Sequence, residues 1–527
     1  MSRARIPSLL LVAVILAAFT SCAVTPAAAQ AQAKRAVIVV IDACRADYLQ
    51  LGSMPAIEQL AREGVSYRRA WTGHLINNTP PGHLTIASGC LPKTTGVIGF
   101  GWRDPETGRR VQPTAWEPIV SGEYAELIAR SGAPTIAGLL KKAEPDAVAA
   151  AVGSVKFYAV ASLGADTADY IAFTPHQPKA PKGGGPRPQM PMLTLENLGV
   201  PGHLPPQTVL EAVQRLYATP RRDPDQVAME MTLALVREAQ PTLLMVNLPQ
   251  TDGAGHQSGG ITAPQVMRGA VQNADAQIGR LVALYKSLGL YDETVWVVTS
   301  DHGMIPDAHA IPRSVINVAM LQAGLKPQGK GGDQHLWLPD PSRAREVALA
   351  IAAQRVPDVH VAFYKVRQGN RYRFELAEPI GPKASPQAVA AYQFLADTYA
   401  CPNGPDVSVF SAENTMWGSK PKAPGSRGRH NTATWGTQHV PLIIAGPGVR
   451  TGVTSDYPAR LCDIAPTVLS ALGIAPRDMD GVVLADAVAD ARAWDSQAQA
   501  NREAELAPLV EALEQQAQAD LARLGLL

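Results

Sequence analysis

Apolar runs recur along the chain, and three of them are followed shortly by an aspartate. The runs span residues 36–41, 243–248 and 295–298, and the aspartates are Asp42, Asp252 and Asp301. Runs that are rich in β-branched residues and do not alternate with polar ones are typical of strands buried on both faces of a parallel sheet. We therefore predict three core strands, each ending near a carboxylate.

Segments with helical spacing separate these strands. We predict helices at 55–63, 135–142, 263–288 and 464–472, and further strands at 147–155 and 440–445. Strands that alternate with helices predict an α/β fold with a mainly parallel central sheet.

The alternation of strands and helices defines a core that is interrupted twice. We assign the core to residues 30–156, 241–305 and 428–482, with inserted cap segments at 157–240 and 306–427. Residues 175–191 are dense in Pro, Gly and Lys, which predicts a linker or mobile loop. The tail 483–527 carries Leu506, Leu509, Val510 and Leu513 at helical spacing. This spacing predicts a helix docked on the core or, alternatively, one that binds a partner.

The first residues have the pattern of a targeting segment. Arg3 and Arg5 precede an apolar run at 9–19, and small residues follow up to Ala29. This order predicts a secretory signal peptide at 1–29, and the run is too short to span a bilayer. A lipoprotein anchor at Cys22 is the alternative, disfavoured because Phe19 stands where such sites place Leu, Val or Ile. We expect a periplasmic or secreted protein without a membrane span.

The amino-acid composition restricts the classes of molecule expected as partners. The chain has 527 residues, is 46% hydrophobic and 18% charged, and carries a formal net charge of +1. Because the chain has no large excess of positive charge, no nucleic-acid polymer is expected as a partner. Beyond the signal segment there are four cysteines, Cys44, Cys90, Cys401 and Cys462. None is spaced like a zinc cluster, and they are either paired as disulfides or buried as thiols.

The segment around Thr79 combines a hydroxyl with a predicted helix start. Two prolines follow Thr79, and apolar residues after them suit a short buried helix. Unpaired N–H groups at a helix start favour an oxygen nucleophile and the phosphate that it attacks. The alternative is that Thr79 is only an N-cap.

The three aspartates are expected to meet, because ligands of open α/β sheets bind beyond the carboxyl ends of the strands. His256 follows Asp252 by one helical turn, and His302 directly follows Asp301. Such oxygen and nitrogen ligands are typical of Zn²⁺, although residue types alone also allow Mn²⁺, Mg²⁺ or Ca²⁺. We predict two divalent ions that share one site, with zinc favoured.

Five segments in this order resemble one family. They are 39–42 (VVID), 79–83 (TPPGH), 252–256 (DGAGH), 300–304 (SDHGM), and His430 followed by 440–443 (VPLI). The chain between 36 and 473 resembles the alkaline phosphatase superfamily. Within it, the similarity is to the branch of type I phosphodiesterases, nucleotide pyrophosphatases and alkaline phosphatases with a threonine nucleophile.

This resemblance implies a fold, a ligand set and a reaction. The fold is a three-layer α/β sandwich of the alkaline phosphatase type. One metal ion is held by Asp252, His256 and His430, and the other by Asp42, Asp301 and His302 together with the Thr79 oxygen. His439 is the alternative to His430, which is favoured by its spacing from the strand at 440. Thr79 is the expected nucleophile of a covalent phosphothreonine mechanism.

The sequence departs from the branch at the substrate pocket. Members that prefer phosphate monoesters are expected to carry an Asn after the nucleophile helix and a Lys-x-Arg pair. Here Phe100 stands in place of that Asn, and Lys156 is followed by Tyr158 in place of the Arg. One cation and two aromatic groups suit a dianion less well than a base, sugar or aryl group. We therefore predict a small phosphodiester or pyrophosphate substrate, with a monoester as the alternative.

Other classes fit the sequence less well. Metal-dependent phosphoglycerate mutases share the core, but the Thr nucleophile and the export signal argue against them. Sulfatases need a Cys or Ser nucleophile in a Cys/Ser-x-Pro-x-Arg context, which Thr79 does not supply. An exported metal-binding module without catalysis is the alternative outside the enzymes. Oligomeric state is left open.

Overall fold

A computed structural model describes residues 32–176, 191–217, 223–327, 334–418 and 423–526. The predicted signal segment with Cys22, and most of the predicted loop at 175–191, lie outside these residues. Among the helices that are described, none is both long and apolar enough to cross a membrane.

Eight strands form the central sheet. In chain order they are β1 (Arg35–Ile41), β2 (Gly64–Tyr67), β3 (Ala149–Val152), β4 (Tyr170–Ala172), β5 (Leu243–Leu248), β6 (Thr294–Thr299), β7 (Leu442–Ala445) and β8 (Val453–Ser455). Their spatial order is β8-β2-β7-β6-β1-β5-β3-β4. Strand β7 runs antiparallel to both neighbours, and the other pairings are parallel. The mainly parallel sheet predicted from the sequence is confirmed.

Helices cover both faces of this sheet. On one face lie Thr79–Ser88, Glu123–Ser131, Ile136–Ala143, Phe157–Gly164 and Ile464–Ala471, and on the other lie Pro55–Glu63, Gln207–Tyr217, Pro224–Ala239 and Pro264–Ser287. Side chains alternate along β1, with Ile38 and Val40 on the first face and Val37 and Val39 on the second. The result is a three-layer sandwich with a core on each side of the sheet.

The architecture of 157–240 differs from the cap segment that we predict there. Residues Tyr170–Ala172 form the edge strand β4, which pairs with β3 in parallel register. Helices Phe157–Gly164 and Pro224–Ala239 pack on opposite faces of the central sheet. A three-residue strand is too short to give a recognisable apolar pattern. Most of this range is therefore part of the sandwich rather than a cap over its end.

Residues 306–427 contain a second, antiparallel sheet. Its strands are His335–Leu336, Val407–Ser411, Val359–Gln368 and Arg371–Ala377, in this spatial order. Helices Ser314–Gln322 and Ala344–Ala353 pack on one side, and helix Pro386–Asp397 packs on the other. This range thus has its own hydrophobic core.

Several short elements and one long C-terminal helix complete the described residues. The remaining helices are Pro92–Thr95, Trp116–Val120, Gln250–Ser258, Trp435–Gln438 and Ala493–Leu524, and the remaining strands are Trp102–Arg103, Arg110–Val111, Ile305–Pro306, His309–Ile311, Thr415–Trp417 and Gly428–Arg429. The long helix Ala493–Leu524 buries Leu506, Val510 and Leu513 against helix Pro386–Asp397. The four cysteines outside the signal segment are buried as free thiols.

Candidate active site

Thr79 is the first residue of a fully buried helix, Thr79–Ser88. The N-cap position belongs to Asn78, whose side chain makes no capping hydrogen bond. The Thr79 hydroxyl instead lies 3.5 Å from Nε2 of His302. The hydroxyl thus faces the predicted ligands rather than the backbone of its own helix, which argues against a purely capping role.

A glycine lets this helix approach the end of β6. A Cβ atom at Gly82 would lie 2.7 Å from the carbonyl oxygen of Asp301 and 2.9 Å from its Cβ atom. Only a residue without a side chain fits at that distance. Gly82 therefore fixes how closely the Thr79 helix and the Asp301 segment meet.

One group of predicted ligands lies where β1 and β6 end. His302 Nε2 is 3.3 Å from Asp301 Oδ2 and 4.0 Å from Asp42 Oδ1, and all three side chains are completely buried. Burial and the charge of Asp301 raise the pKa of Asp42. Burial opposes ionisation of Asp301 as well, but His302 and His83 hold its pKa below the usual range.

The second group lies beside the first and comes from two other segments. Asp252 and His256 are one turn apart on helix Gln250–Ser258, with His256 Nε2 at 3.3 Å from Asp252 Oδ1. His430 follows strand Gly428–Arg429, which pairs with Ile305–Pro306 just beyond His302. Its Nε2 atom lies 3.6 Å from Asp252 Oδ1 and 3.2 Å from His256 Nε2. The rings of His430 and His302 stack at 4.0 Å, so the two groups are contiguous.

All three histidines are oriented in the same way. The Nδ1 atom of each donates to a backbone carbonyl: His256 to Gly428 at 2.9 Å, His302 to Gly303 at 2.9 Å and His430 to Asn77 at 2.8 Å. This bond leaves the lone pair of Nε2 directed into the site, which is the arrangement of a metal-bound histidine.

The donor set fits divalent metal ions. Asp252 Oδ1 and Asp301 Oδ2 are buried and make no hydrogen bond to any residue that the structure describes. Buried carboxylate oxygens are costly unless they are paired or bind a cation. Ligand atoms of Asp42, Asp301 and His302, and of Asp252, His302 and His430, lie within 4.8 Å of one another. Carboxylate oxygens and imidazole nitrogens in such groups suit zinc.

His439, the alternative to His430, points elsewhere. Its Nε2 atom donates to the carbonyl of Arg68 at 2.9 Å, and its ring stacks on Trp435 at 4.6 Å. Of the two histidines, His430 is the one that the structure brings to the aspartates.

A model of the family described as type I phosphodiesterase / nucleotide pyrophosphatase matches residues 36–367. The match covers more than half of the chain. This protein belongs to that family. It is accordingly a phosphoric ester hydrolase of the alkaline phosphatase superfamily, a metal-dependent class.

Individual relatives agree with this assignment. Alkaline phosphatase PhoK from Sphingomonas sp is 24% identical over 459 residues, which cover 75% of this chain and 80% of PhoK. The crystal structure of wild-type alkaline phosphatase PafA superposes with a TM-score of 0.63 at 17% identity, covering 87% of this chain and 99% of PafA. Inactive murine ectonucleotide pyrophosphatase / phosphodiesterase 5 in complex with AMP gives a TM-score of 0.55 at 15% identity, covering 88% and 99%. The two structures show that the sandwich is the fold of the superfamily.

Lys156 lies between the two ligand groups of this family member. Its Nζ atom is 2.6 Å from Asp42 Oδ1 and 2.7 Å from Asp252 Oδ2. Burial alone would lower the pKa of Lys156, but Asp252 and Asp42 raise it well above its usual value. These two contacts place the Lys156 ammonium within reach of both groups.

The two aromatic residues that replace polar ones form a pair at the edge of the site. The rings of Phe100 and Tyr158 are 4.9 Å apart in an edge-to-face contact, and Phe100 is 39% exposed. Burial raises the pKa of Tyr158 to about 12, so its hydroxyl is neutral near pH 7. The structure thus places these predicted substrate residues together, with the Phe100 ring open to solvent.

Two residues of the site lie outside the predicted ligands and substrate residues. His83 donates from Nδ1 to the Thr79 carbonyl at 2.9 Å, and that same atom lies 3.3 Å from Asp301 Oδ2. Asn247 donates to His83 Nε2 at 2.9 Å and to Asp42 Oδ2 at 3.1 Å. Asn247 is the one polar residue in strand β5, and that interruption of an apolar run was an available signal. Both residues connect the helix that begins at Thr79 to the carboxylates.

Proposed function

We propose that this protein hydrolyses small phosphodiesters or pyrophosphates through a covalent phosphothreonine intermediate at Thr79. The observation that carries this proposal is the position of the Thr79 hydroxyl beside His302, at the junction of two carboxylate and histidine groups. Family membership supports the reaction class.

Two divalent ions, with zinc favoured, are proposed as cofactors. Asp42, Asp301 and His302 would hold one ion with the Thr79 oxygen, and Asp252, His256 and His430 the other. Bound there, the ions supply Lewis-acid charge that lowers the pKa of a hydroxyl and stabilises a departing oxygen. The orphaned oxygens of Asp252 and Asp301 are the structural support for their presence.

In the proposed reaction, Thr79 Oγ1 gives up its proton to solvent and forms a bond to phosphorus, while the bond to the leaving oxygen breaks and that oxygen takes up a proton. Water then attacks the phosphorus, the bond to Thr79 breaks, and the hydroxyl regains a proton. A diester thereby yields an alcohol and a monoester. The hydrogen bond from His83 to the Thr79 carbonyl holds the nucleophile in position during both steps.

The residues around the pocket favour a diester over a monoester. Lys156 supplies one cation to the phosphate, and Phe100 with Tyr158 offers an apolar surface for a base, sugar or aryl group. A monoester dianion would gain less from this pocket, because Phe100 and Tyr158 supply no second cation for its additional charge. Monoester hydrolysis is the second candidate, supported by the retained Lys156.

The test compares initial rates on bis-p-nitrophenyl phosphate and p-nitrophenyl phosphate with zinc-loaded protein. We expect a preference for the diester and loss of turnover in Thr79→Ala with metal content unchanged. Thr79→Ser keeps a hydroxyl and is the matched control, expected to retain turnover. A strong monoester preference refutes the substrate assignment, and full activity of Thr79→Ala refutes the mechanism. Metal binding without any turnover supports the non-catalytic alternative.

Export to the periplasm or medium is proposed from the charged, apolar and small-residue order of residues 1–29. Mass spectrometry of the mature N-terminus tests it, with cleavage near Ala29 expected. Lipid attachment at Cys22 is the result that would favour the anchored alternative.

A further inference from the structure

A cleft of about 830 Å³ opens beside the proposed metal groups. Asn78 and His430 lie at its inner end, next to the site. One wall comes from residues 98–110 after the nucleophile helix, and the other comes from residues 335–339 of the second sheet region. The cleft is therefore shared between the sandwich and the inserted region, and it is continuous with the place where Thr79 would act.

Two arginines stand directly opposite each other in one wall. Strands Trp102–Arg103 and Arg110–Val111 are antiparallel, and their register pairs Arg103 with Arg110. Like charges placed opposite each other across strands destabilise a hairpin. Within the part of the chain that the structure describes, neither guanidinium has an ion pair within 4.0 Å. The hairpin therefore maintains a local repulsion that an anion would relieve.

Among the residues that the structure describes, no carboxylate lines the cleft to neutralise these arginines. Carboxylates within electrostatic range of Arg103 are engaged elsewhere: Asp104 accepts from Thr107, Asp340 from Ser342, and Asp406 lies 3.6 Å from Lys365. Burial lowers the pKa of His335 to about 3, so this imidazole is neutral. The described lining of the cleft thus carries the charge of its two arginines.

The position of the cleft tells which half of a substrate it would receive. Thr79 belongs to the Asp42, Asp301 and His302 group, and the cleft adjoins His430 of the other group. In an in-line displacement the leaving oxygen departs on the side opposite the nucleophile. Given the proposed function, on which this inference rests, the leaving half extends into the cleft.

We propose that Arg103 and Arg110 form an anion subsite for the leaving group. The substrates then are phosphodiesters or pyrophosphates whose departing half carries its own negative charge, from a carboxylate or a phosphate. Guanidinium groups bind both kinds of anion through paired hydrogen bonds.

Two synthetic diesters isolate the charge of the leaving group. Methyl 4-nitrophenyl phosphate and methyl 3-carboxy-4-nitrophenyl phosphate release chromogenic phenolates that differ by one carboxylate. We expect Arg103→Ala and Arg110→Ala each to lower kcat/KM for the carboxylated ester about tenfold, the size of one charged hydrogen bond. The neutral ester should change less than about twofold, because it has no group for the subsite.

A second pair distinguishes phosphate from carboxylate. Thymidine 5′-triphosphate and the p-nitrophenyl ester of thymidine 5′-monophosphate transfer the same group but release pyrophosphate or a phenolate. We compare the loss of kcat/KM that the arginine variants cause on the triphosphate with the loss that they cause on the carboxylated ester. The larger loss shows which anion the subsite prefers.

Arg109→Ala is the matched control, since Arg109 is an exposed arginine of the same hairpin that does not line the cleft. It should leave all four rates unchanged. Equal losses on charged and neutral leaving groups, or no loss on either charged one, overturn the subsite while the hydrolase stands. Absence of turnover on the neutral ester in the parent protein overturns the proposed function and the subsite together.

Discussion

Replacing Gly82 by alanine should move the Thr79 hydroxyl away from the site without unfolding the protein. The new Cβ atom would lie 2.7 Å from the Asp301 carbonyl oxygen, whereas an ordinary contact is 3.4 Å or more. The helix that carries Thr79 must therefore move by about 0.7 Å. Since a misplacement of about 1 Å costs on the order of a hundredfold in rate, we expect kcat to fall about 10- to 100-fold.

The stability of this variant should change much less than its rate. Alanine is favoured over glycine inside a helix by about 1 kcal/mol, which offsets part of the steric cost. The matched control is Gly269→Ala on helix Pro264–Ser287, where a Cβ atom meets nothing within 4 Å. It should raise the melting temperature slightly and leave kcat unchanged.

Initial rates on bis-p-nitrophenyl phosphate, together with thermal melts of both variants, check this expectation. Parent-like kcat in Gly82→Ala would refute the idea that the close approach positions Thr79. A melting temperature that falls in proportion to kcat would show instead that the contact serves the fold alone.

Further predictions concern metal binding, pH dependence and packing. His256→Ala should lower the zinc content measured by atomic absorption, whereas His439→Ala should not, because only the former contacts Asp252. Burial raises the pKa of Glu413 from 4.5 to about 7 despite Arg45, so its contribution to stability is complete below pH 4.5 and is lost as pH rises through 7. In urea titrations, the parent protein should lose roughly 3 kcal/mol of unfolding free energy over this pH range, and Glu413→Gln should lack that loss. Leu506→Ala should lower the unfolding free energy by about 2–5 kcal/mol, and exposed Gln515→Ala by less than about 0.5.

Sequence patterns predicted the elements that depend on long apolar runs. Strands β1, β5 and β6 are continuous and buried, so Asp42 and Asp301 could be placed at their carboxyl ends before any coordinates. Strand β4 has three residues, and its pairing with β3 is determined by tertiary contacts that no local pattern contains. The sequence pattern therefore does not reveal that most of 157–240 belongs to the sandwich.

Within the site, a different cause separates what the sequence predicts from what it does not. The choice between His430 and His439 depended on spacing, and the structure supports it through the pairing of Gly428–Arg429 with Ile305–Pro306. The arginine pair of the cleft lies opposite residues 335–339, more than two hundred positions further along the chain. Such a juxtaposition follows from how the second sheet sits beside the sandwich, which hydrophobic patterning does not specify.

The carbonyl groups that orient the three histidines have a consequence for how this enzyme can change. Every residue type has a backbone carbonyl, so no point substitution at Asn77, Gly303 or Gly428 deletes the acceptor itself. The orientation of the imidazoles therefore depends on the chain path, and a side chain at Gly303 or Gly428 would disturb that path, because its Cβ atom would lie 2.3 or 2.4 Å from a backbone oxygen.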